Sequence, residues 1–278
     1  MAKAKRCVIT LTTDFGMENG NVAVMKGVIL GLNPDACIVD LTHDIPPQDI
    51  ADAAYVLRRA HAYFPPDSIH VVVVDPGVGT ERRPIAVKSA HAFYVAPDNG
   101  VLTYVLEELR NEGEEMRIIN LTNPAYWLPQ VSNVFHGRDI FAPVAAHLSL
   151  GVEIDVLGAE IDEVVALPPP RLEIRGGKIT GEVTHIDHFG NLLTNISHSD
   201  LMLLGDSVTT KVGQTEIRGL TITFAAGQTG QPIAYIDSSG YLAVAVVNGS
   251  AQRLLGNQVG ELVVVEAYQE TSIQPEAL

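Results

Sequence analysis

Runs of apolar residues alternate with helix-spaced stripes through the first half of the chain. An apolar segment over residues 7–11 precedes Val22, Met25, Ile29 and Leu32, which recur on one helical face until Asn33-Pro34 stops the helix. A second apolar segment over residues 36–41 completes a βαβ unit. Ile50, Ala53, Ala54, Leu57, His61 and Phe64 then form another stripe, closed by Pro65-Pro66 ahead of the continuous run over residues 69–74. Strands near residues 85–87 and 93–95, a helix near 101–109, a strand near 117–121 and a helix bearing Phe141, Val144, Ala145 and Leu148 follow. Strands alternating with helices predict an α/β domain built on a mostly parallel sheet, and unbroken apolar strands predict a sheet covered on both faces.

The pattern changes at Leu167-Pro168-Pro169-Pro170, because consecutive prolines cannot continue a helix or a central strand. Short alternating segments then recur at residues 181–186, 207–212, 232–236, 241–247 and 261–266, separated by Gly, Asn and Asp. They predict a smaller β-barrel or β-sandwich. The expected domains are therefore residues 1–167 and 171–278, in keeping with a 278-residue chain, longer than one core usually serves.

Three of the predicted parallel strands deliver an acid at their ends. The first leads into Thr12-Thr13-Asp14, the second into Thr42-His43-Asp44, and the third into Asp75-Pro-Gly-Val-Gly-Thr80, with Arg82 on the same loop. Ligands of open α/β sheets bind beyond these carboxyl ends, which points to a shared site. Asp also caps turns and helices for structural reasons alone. The Asp75 loop lacks Gly-Lys-Ser/Thr and opens no helix, so a nucleoside triphosphate or dinucleotide site is disfavoured. His136, between Phe135 and Gly137-Arg138, lies at or before the N-terminus of the last helix of the first domain.

The net charge of -15 argues against binding nucleic acid or an anionic membrane, both of which need clustered Lys and Arg. Two cysteines, Cys7 and Cys37, exclude a disulfide framework or a four-cysteine zinc site. None of the nine histidines shows a tight metal-binding spacing, although His185-Ile-Asp-His188 could donate ligands. The basic residues Lys3, Lys5 and Arg6 precede an apolar stretch interrupted too soon for a signal peptide, and no apolar run reaches membrane-spanning length. The expected location is the cytoplasm. In the second domain, Asp187, Phe189 and Asn191, with Phe224, Ser238-Ser-Gly-Tyr241 and Asn248-Gly-Ser250, supply aromatic faces and amide edges suited to a nucleobase. The Asp187 turn also suits a plain hairpin tip.

Six ordered motifs carry a family resemblance: Leu11-Thr-Thr-Asp-Phe-Gly16, Val73-Val-Asp-Pro-Gly-Val-Gly79, Ala96-Pro-Asp-Asn-Gly100, Phe135-His-Gly-Arg-Asp139, Ile186-Asp-His-Phe-Gly-Asn191 and Ser239-Gly-Tyr241. Through them the chain resembles the S-adenosylmethionine hydroxide adenosyltransferase family, relatives of the fluorinating and chlorinating adenosyl enzymes. The resemblance implies displacement of methionine from S-adenosylmethionine by water-derived hydroxide, giving adenosine, with no metal or other cofactor. It implies catalytic roles for Asp75, Arg82 and His136, a ribose contact from Asp14, and adenine contacts from Phe189, Asn191, Phe224 and Asn248. Asp187 and Ser238 match positions that hold the methionine end, and family members are homotrimers with sites at subunit interfaces. Halogenating relatives carry an uncharged residue in place of Asp75, the fluorinating relative has an insertion where this chain has only residues 88–92, and Gln48 stands where that enzyme has tryptophan. The alternatives are a halide adenosyltransferase and a non-catalytic sensor of adenosine or S-adenosylmethionine.

Overall fold

A computed structural model describes residues 7–268 apart from 206, 225 and 226. Lys3, Lys5 and Arg6 lie outside the described residues. The chain divides into two compact units, Met1–Leu167 and Pro168–Leu278. No helix among the described residues is long and apolar enough to cross a membrane.

The first unit runs β1 (Val8–Thr13), α1 (Asn21–Leu32), β2 (Cys37–Thr42), α2 (Ile50–Ala60), β3 (Ser68–Val73), β4 (Pro84–Lys88), β5 (Ala92–Pro97), α3 (Thr103–Asn111), β6 (Arg117–Asn120), a π-helical turn (Gly137–Phe141), α4 (Ala142–Ser149) and β7 (Ala159–Glu160). Its sheet has the order β2-β1-β3-β5-β4-β6-β7. The first four strands in this order pair in parallel. The short link between β4 and β5 turns that pair antiparallel, and β6 and β7 continue antiparallel from it. The sheet is therefore parallel where the sequence predicts βαβ units and mixed at the far edge.

Both faces are covered. Along β3 and the residue after it, Ile69, Val71 and Val73 join the core beneath α1 and α4, whereas Val72 and Val74 join the one beneath α2 and α3. This period of two explains why all six residues of β3 are buried and why, Ser68 and His70 apart, the strand is apolar. In α2, Asp49 caps the helix by accepting the Asp52 N–H at 2.9 Å, and Arg58 and Arg59 lie in its last turn, favourably placed against the helix dipole.

The strand order matters for function. From β1 the chain moves outward to β2, then crosses back to place β3 on the other side of β1. That reversal opens a crevice beyond the carboxyl ends of β1 and β3, the strands that lead to Asp14 and Asp75.

The second unit contains β8 (Glu173–Arg175), β9 (Lys178–Ile186), β10 (Leu192–Ser197), α5 (His198–Met202), β11 (Val208–Val212), β12 (Thr215–Arg218), β13 (Pro232–Ile236), β14 (Tyr241–Val246), α6 (Ala251–Leu255) and β15 (Leu262–Ala267). Its antiparallel order, β12-β11-β15-β9-β10-β14-β13, is nearly closed by a bridge between Thr221 and Tyr235. The result is a barrel around Ile179, Val183, Leu192, Ile196, Val244 and Val263. β9 pairs with β15 through its first half and with β10 through its second. At Gly181 in β9 a Cβ would fall 2.5 Å from Ile196 Cγ1, so the barrel interior closes there only on glycine.

Candidate active site

Asp75 inherits its direction from β3. The alternation that sends Ile69, Val71 and Val73 towards α4 also turns residue 75 to that face, where the π-helical turn begins just after His136. Asn99 Nδ2 donates to the Val74 carbonyl at 2.9 Å and fixes the backbone immediately ahead of the carboxylate. The following loop lies against the segment before His136. Gly79 has φ 75°, and a Cβ there would approach the Asn133 carbonyl oxygen to 2.1 Å, so the close approach and the left-handed backbone both require glycine.

His136 is placed by the π turn. Buried Asp139 accepts the Ser132 N–H at 2.8 Å and Arg138 Nε at 2.6 Å, while its own N–H donates to the Phe135 carbonyl at 3.1 Å. These bonds tie residues on both sides of His136 to one carboxylate and its backbone. π turns of this kind are frequent at functional sites.

Arg82 joins the two. Its Nε donates to Asp75 Oδ1 at 3.1 Å and its Nη2 to Asp75 Oδ2 at 2.5 Å, a bidentate fork. Nη2 also donates to His136 Nδ1 at 3.0 Å. Arginine is always a donor, so Nδ1 carries a lone pair and a neutral His136 holds its proton on Nε2. The guanidinium lies over the Phe141 ring at 5.5 Å, and its Nη1 is buried with no hydrogen-bond partner among the described residues. The Asp75 and Arg82 side chains are only 5% and 7% exposed.

Burial raises the Asp75 carboxyl above its ordinary value of 3.8, the attraction of Arg82 offsetting this only in part. Burial, followed by repulsion from Arg82, lowers the His136 imidazole below its ordinary 6.5. Protonating either group would remove the ionised-acid, neutral-imidazole pair. Activity at this centre is therefore expected to fall on the acid side, with the Asp75 limb displaced above pH 3.8 and no loss from His136 above pH 6.5. A pH profile of kcat/KM tests this.

The cluster opens on a cleft of about 330 Å³, whose lining includes Asp14, Phe15, Gln48, Asp75, Phe135 and His136. Asp14 Oδ2 accepts the Gln48 N–H at 2.9 Å, and Phe15 packs edge-on against Phe135 at 5.7 Å. Of the three strand-end acids, two share this cleft. Asp44 is exposed and outside it, because β2 is the edge strand, one position beyond the crevice. Gln48, which stands where the fluorinating relative has tryptophan, thus lines the cleft, and so does Phe135, which lies in a family motif but has no role assigned from the sequence.

In the second unit, Asp187 Oδ1 accepts the N–H groups of Phe189 and Asn191, each at 2.9 Å, and its Oδ2 accepts Asn191 Nδ2 at 2.8 Å. The self-bonded turn anticipated for this sequence is present, with Asn191 buried and Phe189 74% exposed. Gly190 packs on Ser250, which brings the Asn248 turn to the same barrel end, and Asn248 Nδ2 donates to Thr229 Oγ1 at 3.1 Å. Phe224 is half-exposed and tilts against Tyr235 at 4.9 Å. Ser238 is not brought to this end. It lies in the turn before β14, whose length, roughly 20 Å, separates it from Asn248. Among the described residues, no group of three or more His, Cys, Asp or Glu is arranged to hold a metal ion, His185 and His188 included.

Chemically, a solvent-shielded carboxylate held by a guanidinium beside a neutral imidazole forms an acid–base centre able to take a proton from a small ligand in the cleft. Fold and centre define an α/β enzyme-like unit followed by a β-barrel. Comparison with known proteins places it further. Residues 9–158 match the SAM hydroxide adenosyltransferase N-terminal domain and residues 181–264 the SAM hydroxide adenosyltransferase C-terminal domain. The chain belongs to this family. It is 40% identical over 261 residues to a protein of Salinispora tropica named (R)-S-adenosyl-L-methionine hydrolase, covering 93% of this chain and 97% of that one. A crystal structure of an uncharacterized conserved protein from Thermotoga maritima superposes with a TM-score of 0.86 at 38% identity, covering 92% of this chain and 99% of that one. A fluorinase of Actinoplanes is more distant, at 30% identity over 272 residues, 86% of this chain and 90% of that one.

Proposed function

We propose that this protein hydrolyses S-adenosyl-L-methionine to adenosine and L-methionine. The observation that carries the reading is the part-buried Asp75–Arg82–His136 cluster facing a cleft that also holds Asp14. Asp75 takes a proton from water as its oxygen attacks C5′ of the ribose. The C5′–S bond breaks with its electron pair passing to sulfur, so methionine leaves as a neutral thioether and needs no general acid. Arg82 holds the carboxylate in place, and His136 helps to orient the water. Charge on the sulfonium and on the incoming oxygen cancels at the transition state, which a dry, preorganised pocket favours. Displacement of a neutral thioether by water calls for neither a metal nor a redox cofactor.

Asp14 is assigned to the ribose hydroxyls, Phe189, Asn191, Phe224 and Asn248 to adenine, and Asp187 to the methionine end; Ser238, at the other end of β14, is left out of the assignment. The assignment rests on the family motifs. The proposal includes a cytoplasmic homotrimer with its sites at subunit interfaces. An ionised Asp75 in the cleft also opposes entry of a halide, since like charges in a poorly solvated site repel by several kcal/mol.

Relatives named for the (R) sulfonium epimer direct the test to both epimers. Each is incubated with the purified protein while adenosine and methionine are quantified, and stoichiometric formation of the two from the (R) epimer is expected. Adenosine at background, or a chloride-dependent yield of 5′-chloro-5′-deoxyadenosine in its place, would overturn the proposal.

A further inference from the structure

We infer that His43 is a positioning residue that holds Asp14 in register for the ribose, an inference that rests on the reading of the cleft as an S-adenosylmethionine site. His43 follows β2 directly, is 4% exposed, and does not line the cleft. Its contacts converge on the loop that carries Asp14. The Thr13 hydroxyl lies 2.9 Å from His43 Nδ1, and the same hydroxyl oxygen accepts the Phe15 N–H at 3.2 Å. The Asp40 carboxylate beside Nε2 favours a proton on that nitrogen, and in the neutral ring Nδ1 then accepts the Thr13 hydroxyl proton. The His43 carbonyl accepts the Gly16 N–H at 2.9 Å. Residues 13, 15 and 16, on both sides of Asp14, are thus bonded to His43 or to its partner Thr13.

The ring is steadied from behind. His43 Nε2 lies 3.0 Å from Asp40 Oδ1, off the axis of a linear hydrogen bond, and Asp40 Oδ2 accepts Lys26 Nζ from α1 at 2.6 Å. Five residues after His43, the loop returns to Asp14. Gln48, at φ 67°, turns its N–H onto the Asp14 carboxylate at 2.9 Å. One loop therefore grips Asp14 twice, through its flanking backbone at His43 and through its carboxylate at Gln48. Non-glycine residues adopt this left-handed backbone at a cost of about 1 kcal/mol or more, so the surrounding contacts must hold Gln48 there. A carboxylate meant to receive two adjacent hydroxyls must sit within a fraction of an ångström of its working position, and this frame supplies that constraint.

The test measures recognition of the hydroxyls rather than activity alone. Adenosine and 2′,3′-dideoxyadenosine are titrated calorimetrically into the wild type, Asp14→Ala, His43→Ala and His43→Asn, with circular dichroism as the check of folding. The wild type is expected to prefer adenosine, and Asp14→Ala to abolish the preference. His43→Ala should cut it by about tenfold, equivalent to about 1.4 kcal/mol. His43→Asn, which keeps an acceptor near the Nδ1 position, should restore most of it. In turnover, His43→Ala should lower kcat/KM chiefly by raising KM. Thr13→Val, which deletes the bridging hydroxyl at nearly constant shape, should reproduce the loss and decides the matter if His43→Ala fails to fold. A folded His43→Ala or Thr13→Val protein with the wild-type preference overturns the inference. A wild type that neither binds adenosine nor turns over S-adenosylmethionine overturns the proposed function instead.

Discussion

Replacing Asp75 with Asn is expected to slow turnover of S-adenosyl-L-methionine by at least about 100-fold, the usual scale for loss of a general base. The amide occupies nearly the same volume and can still accept one bond from Arg82, but it cannot take a proton from water. The defect should therefore appear in kcat, because the residue acts on the nucleophile rather than on the nucleoside. Adenosine binding, measured by calorimetry, is the control that the cleft remains formed. The substitution also removes the charge that opposes halides, so the same variant should be assayed in chloride for 5′-chloro-5′-deoxyadenosine. Near-normal hydrolysis would show that alignment of the water, without proton abstraction, is enough.

That this residue could be singled out from sequence has a physical basis. A strand buried on both faces excludes ionised side chains, so the first acid after residues 69–74 marks the place where the sheet ends and solvent or ligand begins. The same logic marks Asp14. It fails for Asp44, because local periodicity does not encode the lateral order of strands. Only the return of the chain across β1 sets β3 beside it and leaves β2 at the edge. His43 was hidden for the same reason, since its importance lies in contacts with Thr13 and Asp40 that no spacing rule predicts.

The barrel shows the opposite balance. Five of its short strands are legible as alternation, but β8, β10 and β12 are not; β10 begins at Leu192, directly after the turn that ends at Asn191. Ser238 and Asn248 flank one motif-rich stretch, yet β14 carries them to opposite ends of the barrel. Turn chemistry survived better: the Asp187 self-bonded turn is fixed by residues only two and four positions away.

Removal of the Asp75 partner should test whether the pair is also structural. Arg82→Met keeps much of the side-chain volume but leaves a carboxylate in a site where only 5% of it is exposed. Breaking a buried pair from one side typically costs about 3–5 kcal/mol, because the surviving charge has no compensation. That loss is expected in urea denaturation at neutral pH, together with loss of turnover. The sign of its pH dependence follows from linkage. Without Arg82, the first force on Asp75, burial, acts unopposed by its chief attraction, so the folded-state value rises further above 3.8. The penalty is then fully present above that raised value, shrinks as pH falls through it, and vanishes below the unfolded value, where both states are protonated. Asp75→Asn combined with Arg82→Met removes both charges, and should recover much of the lost stability without recovering activity. If the single variant is equally destabilised at every pH and the double variant gains nothing back, Arg82 stabilises the fold through its packing on Phe141 rather than through its charge.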